Sequence, residues 1–272
     1  MDAAVAARVR LISEDREHGA GWLARQAVEA LGEAVQAGAD PLEAARALAG
    51  ARPAMAAVAG AVGRVLAAGK TDEQLLEQCT ALIERRDRAA HSIAALLRPD
   101  LDGTVMTHSA SATVREALVY AQPPRVVCTV TEPGEEGRPF AEDLTEAGLA
   151  VELIADEDAT HALETVDLLL LGADSVFRDG SLVNRGGTSA LCDAAREAQV
   201  PVVVACETFK LAPFDPDEAA ADEEPFDLTP PDVIDRYVTD EGVFTPDEIA
   251  ALIDQTPFLR EGYELLRSTR AG

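Results

Sequence analysis

A change of texture near residue 98 constrains this chain more than any other feature. Before it, Ala, Leu, Glu and Arg dominate, apolar residues recur at spacings of three and four, and Gly or Pro interrupt them only occasionally. That is the pattern of amphipathic helices. After Arg98-Pro99-Asp100, short β-branched runs alternate with helix-compatible stretches. The expected fold class is therefore α/β, with a helical N-terminal domain over residues 1–98 and a doubly wound parallel-sheet domain over residues 99–272.

Helix boundaries in the first region are readable. Asp40-Pro41 is an N-cap with Pro in the first turn, Arg52-Pro53 opens another helix, and Thr71-Asp72-Glu73-Gln74 resembles a capping box, so that four or five helices fit. In the second region, residues 104–107, 125–129, 150–154, 167–171 and 201–205 read as buried strands. Residues 111–120, 136–147, 158–163 and 189–198 read as the helices between them. The acidic segment 215–227 reads as a solvated loop, and Thr245-Pro246-Asp247-Glu248 as the start of a final helix.

Doubly wound sheets bind ligands beyond the carboxyl ends of their strands. The polar residues at those places are Thr107-His108-Ser109, Thr131-Glu132-Pro133, Asp156, Gly172-Ala173-Asp174 and Glu207-Thr208-Phe209-Lys210.

Composition narrows the partners. A formal net charge of −26 on 272 residues leaves no electrostatic footprint for nucleic acid or an anionic membrane. Lys70 and Lys210 are the only lysines, and this Arg-for-Lys, acid-rich balance reads as adaptation to high salt. Cys79, Cys128, Cys192 and Cys206 show no CxxC pairing and read as buried free thiols in a reducing compartment. With no apolar run of about 20 residues and no signal-peptide pattern at the start, the expected location is the cytoplasm.

The sequence has no Walker A run, HExxH, GxSxG or zinc-type His/Cys spacing, so neither a metal nor a cofactor is expected. Gly19-Ala20-Gly21-Trp22-Leu23-Ala24 fits the dinucleotide fingerprint formally, but a helix-like run precedes it where a strand is required. Those glycines either approach an anion with their backbone or make a plain turn. Residues 168–191 are more informative: a buried strand ends in Gly172-Ala173-Asp174, and Asn184-Arg185-Gly186-Gly187-Thr188 leads into a helix. Asp174 there either sits as an acid or base beside an anion cradle or caps the turn.

These stretches carry a resemblance. Residues 172–188 are similar to a family pattern of GAD or GAE, a variable turn and NKIGT. Ala205-Cys206-Glu207-Thr208-Phe209-Lys210 is similar to its AETYK, and residues 103–111 to its strand ending in Thr-His, a small residue and Ser. Residues 226–244 resemble its closing segment, with Asp-x-Thr-Pro-Pro and Glu-Gly. The family joins the alpha, beta and delta subunits of translation initiation factor 2B to the ribose-1,5-bisphosphate and methylthioribose-1-phosphate isomerases. The resemblance implies a helical N-terminal domain on a Rossmann-like one, and assembly into homodimers or higher homo-oligomers.

For the isomerases it implies a Cys and an Asp as the acid–base pair. The Asp corresponds to Asp174, but Ser109 stands at the Cys position. A hydroxyl is far too weak an acid to replace a thiol with a pKa near 8.5. The family's Arg-Gly-Ala-Gly is His18-Gly19-Ala20-Gly21 here, and its Thr-Arg-Pro is Thr131-Glu132-Pro133, which sets a carboxylate where a guanidinium would face phosphate. Arg52, Asn184 and Lys210 match, and Arg185 keeps the charge of the family's Lys. The implied ligand is thus a phosphorylated small molecule, a sugar phosphate or nucleotide, held by Gly19, Ala20, Gly21, Arg52, Asn184, Arg185 and Lys210. His108 is a spare proton carrier or a hydrogen-bonded fixture, while Cys128, within Val126-Val127-Cys128, reads as a core thiol. Three readings stay open: a regulatory relative that binds without turnover and has a translation factor as a possible partner, an aldose–ketose isomerase using Asp174 with His108 or water, and a scaffold.

Overall fold

The computed structural model describes residues 3–15, 18–53, 55–216 and 225–267. Five helices open the chain: α1 (Ala3–Glu14), α2 (Ala20–Gln36), α3 (Pro41–Ala49), α4 (Ala56–Ala68) and α5 (Asp72–Leu97). Asp40 caps α3 through the amides of Leu42 and Glu43, with Pro41 in the first turn. Thr71 caps α5 through the Gln74 amide, while the Gln74 side chain accepts the amide of Lys70. Arg52-Pro53 does not itself start a helix. α4 begins at Ala56, whose amide is capped by the Ser175 hydroxyl at 2.7 Å.

A seven-stranded sheet follows, assembled from β1 (Thr104–Thr107), β2 (Arg125–Thr129), β3 (Val151–Ile154), β4 (Leu168–Leu171), β7 (Val202–Ala205), β9 (Arg236–Thr239) and β10 (Gly242–Phe244) in the order β3-β2-β1-β4-β7-β9-β10. All pairs are parallel except the last. The connecting helices are α6 (Ala112–Ala121), α7 (Gly137–Glu146), α8 (Ala159–Ala162) and α9 (Thr188–Glu197). Successive strand residues point to opposite faces: Val105, Val126, Leu168 and Leu170 pack with α5, α6 and α7, and Met106, Val127, Leu169 and Leu171 with α8 and α9. Both faces are covered, which is why Leu168–Leu171 is an unbroken apolar run. This is a mixed α/β fold with a mostly parallel central sheet beneath a helical region.

Three further strands form a small antiparallel sheet: β5 (Ser175–Val176), β6 (Leu182–Arg185) and β8 (Phe226–Thr229), in the order β5-β6-β8. Its Val183 and Phe226 join Phe177 and Phe209 in the core of α1–α4, so this sheet is the seat of the helical layer. Most of the acidic segment lies outside the described residues, but its end, Asp227, is in β8. There it accepts the amides of Gly187 (2.9 Å) and Ser189 (3.2 Å), capping α9 rather than standing in solvent.

The tail contains two helices rather than one. Thr245 and Glu248 form a capping box ahead of α10 (Ile249–Gln255), and α11 (Leu259–Arg267) returns to pack on α4. The α4–α11 crossing depends on glycine, since a Cβ on Gly262 would stand 2.4 Å from the Gly63 carbonyl carbon. Among the described residues no helix is long and apolar enough to cross a membrane, and no group of His, Cys, Asp and Glu is arranged to hold a metal.

Candidate functional site

The chain leaves β1 toward β2 on one side and β4 toward β7 on the other, so the sheet has its switch point between β1 and β4. Gly172 lets the loop after β1 cross the end of β4, because a Cβ there would meet the Ser111 hydroxyl at 2.6 Å. Beyond these ends, roofed by the start of α2 and by Arg52 and Met55, lies a cavity of about 370 Å³. Of the acid–base and ligand-holding residues expected from the sequence, Gly19, Ala20, Gly21, Arg52, Ser109, Asp174, Asn184, Arg185 and Lys210 line it and His108 does not.

His108 is buried behind the lining. Its Nε2–H donates to the Gly186 carbonyl at 2.9 Å, and its Nδ1 pairs with the Thr129 hydroxyl at 2.7 Å. Both ring nitrogens are thus engaged in holding the loop before α9.

At the inner end of the cavity Lys210 and Glu207, both buried, pair at 2.8 Å, and Thr113 donates to the other Glu207 oxygen at 2.5 Å. Burial would neutralise each partner alone, yet attraction holds the Glu207 carboxyl below and the Lys210 ammonium above its usual range. Asp174 is half-buried. Desolvation lifts its carboxyl to about 6; Lys210 is the largest opposing influence, Glu136 adds to the rise, and Arg185 and Arg52 oppose it. Asn184 donates to the Thr188 hydroxyl at 3.1 Å and so ties β6 to α9.

The outer end is built by loops. Asp156 accepts the amides of Thr131 (2.7 Å) and Glu132 (2.8 Å), and the Thr131 hydroxyl accepts the Ser109 amide at 3.0 Å. The Glu132 side chain is exposed and does not line the cavity. The carboxylate that does is Glu136, which accepts the Ser109 hydroxyl and pairs with Arg185. Sequence reasoning passed over Glu136 because nothing in the run Glu135-Glu136-Gly137 shows which acid turns inward. Glu207 was signalled by its place just after β7.

No cysteine lines the cavity. Cys128 lies in the sheet core, where burial pushes its thiol up to about 12. Cys206 stands directly behind Glu207, fully buried, its thiol raised further by burial. The cavity therefore offers a cationic set for an anion and carboxylates for proton transfer, but no thiol. At the first turn of α9 the Asp227 carboxylate already occupies the amides a second anion would need.

The pocket thus lies at the switch point of a mostly parallel sheet, lined by cations and carboxylates and roofed by helices. The chain belongs to the Initiation factor 2 subunit family, which it matches over residues 16–225. It is 34% identical over 205 residues to ribose 1,5-bisphosphate isomerase of Haloferax volcanii, covering 65% of this chain and 63% of that one. It is 29% identical over 259 residues to the putative translation initiation factor eIF-2B subunit 2-like protein of Pyrococcus abyssi, covering 85% of this chain and 93% of that one. In structure it superposes on a chain of the tetrameric eIF2B beta2-delta2 complex of C. thermophilum with a TM-score of 0.81 at 21% identity, covering 91% of this chain and 92% of that one. The matches to ribose 1,5-bisphosphate isomerases span less than two thirds of those proteins' length.

Proposed function

We propose that this chain binds a phosphorylated small molecule of the sugar-phosphate or nucleotide class in the switch-point cavity and that binding, rather than turnover, is its function. The observation that carries the reading is the pairing of Ser109 with Glu136 in a cavity that Arg185 and Lys210 line without any cysteine. Isomerisation moves a proton between adjacent carbons and needs a base and an acid facing the same substrate. Asp174 can serve as one of them, but an aliphatic hydroxyl cannot be the other at neutral pH. In this reading the chain is a regulatory relative that assembles with copies of itself.

A second reading rests on a different observation. Asp174 is lifted to about 6, and Glu136 shares its cavity. Two carboxyls in distinct environments are one way to divide acid and base roles, which would make the chain an aldose–ketose isomerase with a rearranged pair.

Ribose 1,5-bisphosphate, ribose 5-phosphate and methylthioribose 1-phosphate are to be followed for isomerisation and for thermal stabilisation in parallel. The binding reading expects saturable stabilisation that weakens in Arg185→Leu, no turnover by the native chain, and turnover gained in Ser109→Cys. Native turnover that disappears in Asp174→Asn would replace it with the isomerase. Absence of saturable stabilisation by any of the three and by nucleoside monophosphates would remove both.

A further inference from the structure

The roof of the switch-point cavity carries an aromatic pair that the phosphate-binding reading does not use. His18, just before α2, stacks on Trp22 in the first turn of that helix, with ring centroids 3.8 Å apart and planes 14° from parallel. Both residues line the cavity.

The stack is fixed from two sides. Trp22 packs against the core of the helical layer, while Asp15 accepts the His18 amide and pairs with its Nδ1, each at 2.8 Å. The imidazole is thereby held flat against the indole, and a ligand that meets it has little side-chain freedom to freeze.

Only one face of the imidazole is used in this way. The His18 side chain is still 42% exposed while lining the cavity. A ring that is immobilised on one face and open on the other is a platform for a third ring in parallel contact. Met55, Phe140 and Phe226 add apolar surface to the same cavity. A pentose phosphate, hydroxylated along its length, has no flat face to set against such a wall. A nucleobase has one, whichever base it is.

We infer that the switch-point cavity takes a nucleoside monophosphate in preference to a sugar phosphate, with the base stacked on His18 and the phosphate among Arg52, Arg185 and Lys210. This rests on the reading that the cavity binds a phosphorylated small molecule, and it narrows that ligand to one carrying a base. The size agrees: about 370 Å³ stands at the lower end of the roughly 300–1,000 Å³ of sites for drug-sized ligands, where a nucleoside monophosphate belongs.

Adenosine 5′-monophosphate and ribose 5-phosphate share the phosphate and the pentose and differ by the base, so titrating each calorimetrically into the full chain isolates it. The nucleotide is expected to bind at least about tenfold more tightly, the scale of one base stacked on an aromatic side chain. His18→Ala should erase that advantage, and His18→Phe, which keeps a ring, should preserve most of it. Arg185→Leu should weaken both ligands alike, since it acts on the phosphate they share. Trp22 is the only tryptophan of the chain, so its fluorescence reads the stack without any variant. It should change saturably with the nucleotide and not with ribose 5-phosphate. Equal affinities for the two ligands, a Trp22 signal unmoved at saturation, or His18→Phe as damaging as His18→Ala would overturn base stacking and leave phosphate binding standing. Binding of neither ligand would remove both.

Discussion

The two ends of the switch-point cavity are built in opposite ways. The inner end takes Asp174 and Glu207 from positions just after β4 and β7, and Lys210 from the turn that follows. Its ion pair is buried, and attraction between the partners outweighs desolvation. The outer end takes Ser109 and Glu136 from loops whose neighbouring backbone turns left-handed at Ser109 (φ 70°), Thr131 (φ 65°) and Glu135 (φ 52°). Its ion pair, Arg185 with Glu136, is partly open, with side chains 14% and 24% exposed. Strand ends fix chemistry rigidly, whereas loops leave it adjustable, so the inner end should govern stability and the outer end affinity.

The largest effect is expected from Lys210→Met. It strands the Glu207 carboxylate in a site where both partners are nearly inaccessible. Breaking such a pair typically costs about 3–5 kcal/mol. Urea unfolding at pH 7 measures it. A loss below about 1 kcal/mol, as for surface pairs, would show that water reaches Glu207 and would erase the contrast between the two ends.

That contrast also explains what the sequence could disclose. β1–β4 and β7 are found within a residue of where apolar β-branched and leucine runs place them; in β4 and β7 this is because a strand covered on both faces has to be continuously apolar. Residues at strand ends inherit that precision, which is how Asp174 and Lys210 could be named for the cavity. By contrast β5, β6 and β8–β10 are short and partly polar and left no periodicity to read. The loops failed in another way: Glu132 and Glu136 are equivalent by composition, and only the Asp156 clamp on the amides of Thr131 and Glu132 sends one outward and the other in. His108 adjoins Ser109 in sequence, yet only the bonds to Thr129 and Gly186 reveal that its ring faces away from the cavity. The cap by Asp227 was hidden because a carboxylate reaching α9 from another strand has no local signature.

Asp174→Asn probes the inner end by pH. Its folded pKa, about 6, stands above the ordinary value of 3.8. The folded state therefore holds this proton more tightly than the unfolded one. The associated stability is complete below about pH 4 and is lost as pH rises through 6. At pH 7 the ionised carboxylate costs about 2–3 kcal/mol. The variant should be more stable than the native chain by up to that amount at pH 7, with the two curves converging near pH 4. Parallel curves across that range would show that solvent in the cavity already hydrates Asp174.

Glu136→Gln addresses the outer end, where the smallest change in stability should accompany a clear change in binding. The Glu136 carboxylate neutralises Arg185 and accepts the Ser109 hydroxyl, standing where an incoming phosphate would seek the same guanidinium. A glutamine keeps the size and an acceptor for Ser109 but releases the charge. Stability should fall by less than about 1 kcal/mol, since the pair is partly solvated. Affinity for ribose 5-phosphate should rise by about tenfold, roughly 1.4 kcal/mol, and the gain should shrink as salt screens it. Calorimetric titration at two salt concentrations reads both. Weaker binding in the variant would mean that Glu136 orients Arg185 for the ligand instead of competing with it. In that case the outer end would be as preorganised as the inner one, and the division between a rigid and an adjustable end would give way to a single prebuilt seat.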